Sequence, residues 1–101
     1  MPHTAPCQIL AAYRAALEEL ADALREAHAL ADVLEYFAGQ LRGARPHPEG
    51  PPLDACPQPA RVRRALERRD LAWDEAVRLY DMLPAEAREG LTPPDEMLWA
   101  E

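Results

Sequence analysis

The feature that most constrains this chain is a proline-free run from Cys7 to Gln40, broken by a single glycine, Gly39. With Leu10 set at heptad position a, the a positions are Leu10, Leu17, Leu24, Ala31 and Ala38. The d positions are Tyr13, Leu20, Ala27, Leu34 and Leu41, and the g positions are Ile9, Ala16, Ala23, Leu30 and Phe37. All are apolar. Helical periodicity gathers them into one stripe, wider than a two-stranded coiled-coil seam and suited to a helix with two neighbours. Glu18, Glu19, Asp22, Glu26 and Asp32 fall on the outer face. The spacing predicts one long helix over 7–43, with Gly39 and Gly43 marking its end. Ahead of it, Thr4 is a candidate cap and Pro6 fits a first turn.

The remainder divides by proline. Residues 44–59 hold six prolines and one glycine, which removes backbone donors and predicts an extended connector, partly polyproline II. Its lone Leu53 is a candidate pin onto the helices. Residues 60–83 return to helical spacing through Val62, Leu66, Trp73, Val77 and Tyr80, with Ala76 and Leu83 beside them. The stripe fails at Arg69 and Asp70, so Asp70 is a candidate cap, and the region reads either as one helix or as two, 60–69 and 71–83. Residues 84–101 read as short helices: "PAEAREG", closed by Gly90, then a helix with Thr92 as cap and Pro93 at its first position. The expectation is a single all-α domain over 1–101: a long helix, a connector, a second helical region in hairpin arrangement and short C-terminal helices. An antiparallel hairpin is preferred to a parallel crossover.

Length gives this architecture a consequence. Leu10 to Leu41 spans roughly 48 Å as a helix at ~1.5 Å per residue. A compact chain of about 100 residues has a radius of gyration of only about 13 Å. The second region is too short to cover an a/d/g stripe alone, and large uncovered apolar patches mark interfaces. The sequence therefore predicts a homodimer, a four-helix bundle in which the first helix pairs with its own copy through Leu10, Tyr13, Leu17, Leu20, Leu24, Leu30, Leu34, Phe37 and Leu41.

Composition narrows the function classes. Hydrophobic residues at 49% exclude a disordered chain. All 11 basic residues are arginine, and with the high alanine and proline content this resembles the coding bias of a GC-rich bacterial or phage genome. The net charge of −7 repels a phosphate backbone, so nucleic acid is not an expected partner, whereas a protein with a basic surface is. Two cysteines make no disulfide framework, "MPHTAPCQIL" is no signal peptide, and no run reaches the length of a membrane span. A cytoplasmic protein with reduced thiols is expected.

Chemistry-bearing constellations are sparse. The chain has no serine, and its four glycines are too few and too scattered for a phosphate loop. His3 and His47 lie in proline-rich segments. Glu26 and His28 point apart on a helix, which suits a surface role for His28 better than a metal site. Cys7 and Cys56 fall at opposite ends of a hairpin, against a shared metal or disulfide. No enzyme, cofactor or metal is expected.

Charge layout is more informative. Residues 1–43 carry a net −3, residues 44–69 a net +3 and residues 70–101 a net −7. Within "RVRRALERR", Arg61, Arg64 and Arg68 share one face, which either grips phosphates or, as favoured here, pairs with the acidic face of the first helix or of a partner subunit. The acidic C-terminal third, with Asp74 and Glu75, suggests an alternative function: an inhibitor, anti-defence or antitoxin-like, that occupies a nucleic-acid-binding protein. Trp99 in the tail "EMLWAE" is a candidate partner anchor. The leading expectation remains a small, non-catalytic protein–protein interaction module acting as a homodimer.

Overall fold

The structure is a computed structural model that describes residues 6–45 and 48–97. The expectations placed on His3, Thr4, His47 and Trp99 lie outside the described residues. All regular structure among the described residues is helical: α1 (Pro6–Leu41), α2 (Pro59–Met82) and two single-turn helices, α3 (Ala85–Arg88) and α4 (Pro94–Met97).

Helix α1 is continuous over 36 residues, as its alanine-rich sequence, free of proline after the first position, favours. It ends two residues before the expected 43. Gly43 adopts φ +98°, the Gly43 N–H donates to the Gln40 carbonyl at 3.1 Å, and the Ala44 N–H donates to the Gly39 carbonyl at 2.9 Å. This paired reversal satisfies carbonyls that would otherwise be orphaned, and glycine allows it because the turn needs a left-handed residue.

The connector is extended in part, as expected, with Pro52, Cys56 and Gln58 in extended backbone. It turns at residues 48–50 and closes one 3-10 turn at Leu53–Ala55. Leu53 does not pin it, being 79% exposed. The contact is made instead by Gly50, whose backbone passes so close to the Tyr36 phenol that a Cβ there has no room unless the ring moves.

Helix α2 opens with Pro59 in its first turn and runs unbroken through Asp70, so of the two arrangements left open the single helix is the one formed. Its contact line is formed by small residues outside the large apolar set: Ala65, Ala72 and Ala76, followed by Leu79. Arg68 and Arg69 sit beside that line, half-buried, with their charged ends directed outwards. The stripe fails only in its bulky members, and the backbone has no reason to break.

The two long helices run antiparallel. The Tyr13 and Tyr80 rings lie 5.5 Å apart at one end, Arg68 reaches Glu19 and Glu26 midway, and Leu34 shares a groove with Val62 at the other. Tyr13, Leu20 and Leu83 are almost fully buried, within a cluster that includes Ile9, Ala16, Ala23, Leu24, Ala72, Ala76 and Leu79. Leu10, Leu17, Trp73, Tyr80, Leu91 and Met97 pack around it. The core thus sits toward the N-terminus of α1, called here the closed end, where the C-terminal segment adds a third layer. The molecule measures 60 × 26 × 18 Å with a radius of gyration of 18.3 Å, well above the roughly 13 Å of a compact chain of this size.

Candidate functional site

One side of α2 is followed by Val62, Leu66, Arg69, Trp73, Val77 and Tyr80 at helical spacing. Toward the closed end, Val77 and Tyr80 meet Pro93 and Pro94 of the C-terminal segment. Toward the turn end nothing among the described residues lies over this side. Val62, Ala65, Leu66 and Arg69 instead line an open groove of about 250 Å3 with Ala27, His28, Leu30, Ala31 and Leu34 of α1. Leu34 is 38% exposed and Leu66 41%, large values for leucines that share one depression. Past the start of α2, Leu41 is 90% exposed. This groove is where α1 and α2 present apolar surface together.

The opposite side of the hairpin is charged. Arg68 donates from Nε to Glu19 Oε1 and from Nη1 to Glu26 Oε2, each at 2.7 Å. The Arg68 bond holds the Glu19 carboxyl below its ordinary range, and the two carboxylates raise the Arg68 guanidinium in turn. This is the pairing of the basic cluster with the acidic face of α1. Arg64 and Arg68 flank a shallow hollow with Glu67, Leu71 and Glu75, and Arg61 and Arg64 flank another with Asp54, Cys56 and Gln58. The three arginines therefore do share a face, but Arg68 is committed within the chain. Arg61 and Arg64 are exposed and make no ion pair among the described residues.

At the closed end a clasp secures the C-terminal segment. The buried Tyr13 hydroxyl donates to the Thr92 carbonyl at 2.5 Å. Helix α4 starts at Pro94, one residue later than expected, so Thr92 lies one residue before the cap position and its carbonyl accepts from Tyr13 of α1 instead. Burial, followed by the neighbouring Tyr80 phenol, pushes the Tyr13 pKa up to about 12. Arg88 donates from Nε to the Leu83 carbonyl at 2.9 Å and from Nη2 to the Asp81 carbonyl at 2.8 Å. Its guanidinium also lies over the Tyr80 ring, 5.4 Å from the centroid. Arg88 thus satisfies carbonyls at the end of α2 and stacks on the Tyr80 ring.

Of the residues expected at a dimer interface, Tyr13, Leu20, Leu24 and Leu30 are covered by the chain's own packing. Leu10, Leu17 and Phe37 are half-covered, and Leu34 and Leu41 are open. Of the remaining candidates, Glu75 pairs with Arg78 at 2.5 Å, which lowers its pKa, while Asp74 is exposed and unpaired among the described residues. His28 is exposed, on the groove edge. Cys7 is exposed and Cys56 half-buried, and both are free. Among the described residues no three or more His, Cys, Asp or Glu side chains converge to hold a metal ion, and no helix is long and apolar enough to cross a membrane. Sequence reasoning missed Arg88 and the pairing of Leu66 with Leu34. The break in the stripe at Arg69 was the available signal for the second, since it marks the groove edge.

Compared with known proteins, the chain matches no family model, no curated protein and no solved structure.

Proposed function

We propose that this protein is a non-catalytic protein–protein interaction module that works as a helical homodimer. The observation carrying this reading is the open apolar groove at the turn end, where Leu34 and Leu66 stand in one depression at 38% and 41% exposure. Two helices cover each other on one side only, and burying a leucine removes about 1.5–3 kcal/mol of unfavourable hydration. A second hairpin supplies the missing cover and completes a four-helix bundle. Sedimentation equilibrium at micromolar concentration tests the reading. The expected mass is twice the 11.3 kDa of the chain, and a single 11.3 kDa species throughout overturns it.

A second reading is favoured by a different observation. Asp74, Asp81, Glu86, Glu89, Asp95 and Glu96 are exposed and without ion-pair partners among the described residues. In this reading the acidic closed end occupies a basic, nucleic-acid-binding surface on another protein, as an inhibitor does. Its test is competition: a captured partner should be released by duplex DNA or RNA and lost on Asp74→Arg. Capture that neither treatment changes counts against it.

A further inference from the structure

The two edges of the groove carry opposite charge, and this identifies what covers it. On α1 the floor residues are Ala27, Ala31 and Leu34. Asp32 follows His28 by one turn and Glu35 follows Ala31 by one turn, so both carboxylates border the groove on its outer side. Both are exposed, and neither has a hydrogen bond or ion pair among the described residues. On α2, Arg63 precedes Leu66 by three residues and borders the groove on the far side, also exposed and unpaired. Arg69 lines the groove itself and pairs at 3.1 Å with Asp70, which follows Leu66 by one turn, so the two add no net charge to this edge. The groove therefore has an apolar floor, an acidic α1 edge and a basic α2 edge, with Asp32, Glu35 and Arg63 as the unpaired charges among the described residues.

Resting on the homodimer reading above, we propose that the occupant of this groove is the same groove of a second copy, laid so that α1 of each chain faces α2 of the other. A surface with one acidic and one basic edge complements itself under a two-fold rotation about an axis along the helices. That rotation exchanges the edges and leaves their levels unchanged. Asp32 and Glu35 of one chain then meet Arg63 of the other, and the two floors bury Leu34 and Leu66 together. The alternative rotation, which stacks α1 on its own copy, sets acidic edge on acidic edge and is disfavoured by like-charge repulsion. The C-terminal segment thickens the closed end of the same face, so the two chains meet at the turn end and diverge beyond it.

Charge reversal tests the pairing without disturbing either core, because all three residues are exposed. Arg63→Glu makes both edges acidic, and the double variant Asp32→Arg, Glu35→Arg makes both basic. Each variant alone is expected to dimerise about tenfold or more weakly than the parent chain, with unchanged helical circular dichroism. An equimolar mixture of the two is expected to restore a dimer containing one chain of each kind, weakened by salt. A parent chain that is dimeric while both variants dimerise equally well, or a mixture that does not pair, overturns this arrangement and leaves the homodimer standing. A monomeric parent chain overturns both. For the apolar floor, Leu66→Glu is expected to abolish association, and a dimer that survives it places the interface elsewhere.

Discussion

The two ends of this hairpin are built from the same helices and differ in how many layers they have. At the closed end α1 and α2 are joined by the segment after Leu83, and Tyr13, Leu20 and Leu83 lose nearly all contact with solvent. At the turn end the same stripe of α1 continues through Ala31, Leu34 and Leu41, but only α2 and the connector accompany it, and leucines remain open. The lesson is that a wide apolar stripe does not bury itself. A two-helix pair covers one flank, and the other stays exposed wherever no third element arrives.

The largest test of that contrast is leucine truncation at each end. Leu20→Ala at the closed end should cost about 2–5 kcal/mol of stability in urea denaturation, because a fully buried side chain leaves a cavity. Leu66→Ala, at 41% exposure, should cost less than about 1.5 kcal/mol at chain concentrations too low for association. Equal costs would break the distinction between the ends.

Alkali offers a second handle on the closed end alone. The fold favours the neutral Tyr13 phenol, with its pKa raised from 10 to about 12. The associated stabilisation is complete below pH 10, declines as the unfolded chain ionises, and is gone once pH has risen through about 12. It amounts to at most about 2–3 kcal/mol. Chemical denaturation at pH 8 and pH 11 should show the loss, and Tyr13→Phe should remove that part of the pH dependence. An unchanged profile in Tyr13→Phe would refute the assignment.

The clasp itself is tested by Arg88→Ala, which removes the donors to the Leu83 and Asp81 carbonyls and the contact with Tyr80. About 1–2 kcal/mol is the expected loss. It should appear in hydrogen exchange as reduced protection over residues 84–97, with the middle of α1 unaffected. Loss of protection spread evenly along α1 would mean that the two ends unfold together.

The smallest effect is expected midway, at Arg68→Gln. The pair with Glu19 and Glu26 is solvated, so its contribution should be slight and should fade as salt is added. Because the Arg68 bond lowers the Glu19 pKa, that contribution is present above the ordinary glutamate range and is lost as pH falls through the lowered value. A melting-temperature difference that persists at high salt and low pH would show that the arginine stem, not its charge, matters here.

Much of this was legible in the residues. Periodicity placed α1 to within two residues at its C-terminus, because a long proline-free apolar repeat has few alternatives and Gly43 supplies the left-handed stop. The glycine at position 90 likewise closes α3, with φ +80°. What misled was size. Weighting bulky residues in α2 left a break at Asp70 open, whereas Ala65, Ala72 and Ala76 carry the contact without one. For the same reason Leu53 stood out in the connector, while the contact is made by Gly50, the residue with no side chain at all.

The candidate site was half visible. Leu34 and Leu41 belong to the stripe, so their apolar character was evident, but their exposure depends on where α2 begins and on what else reaches them. Likewise, Asp32, Glu35 and Arg63 are ordinary helix charges in the sequence, and become two edges of one groove only once α1 and α2 lie side by side. The sequence by itself determined the helices, their ends and the width of the apolar stripe, since these follow from local backbone preference and periodicity. Which part of the stripe is covered was decided by the tertiary structure alone. The C-terminal segment folds onto one end through Tyr13, Tyr80 and Arg88, contacts between residues as far apart as Tyr13 and Thr92, and no local rule encodes such a meeting.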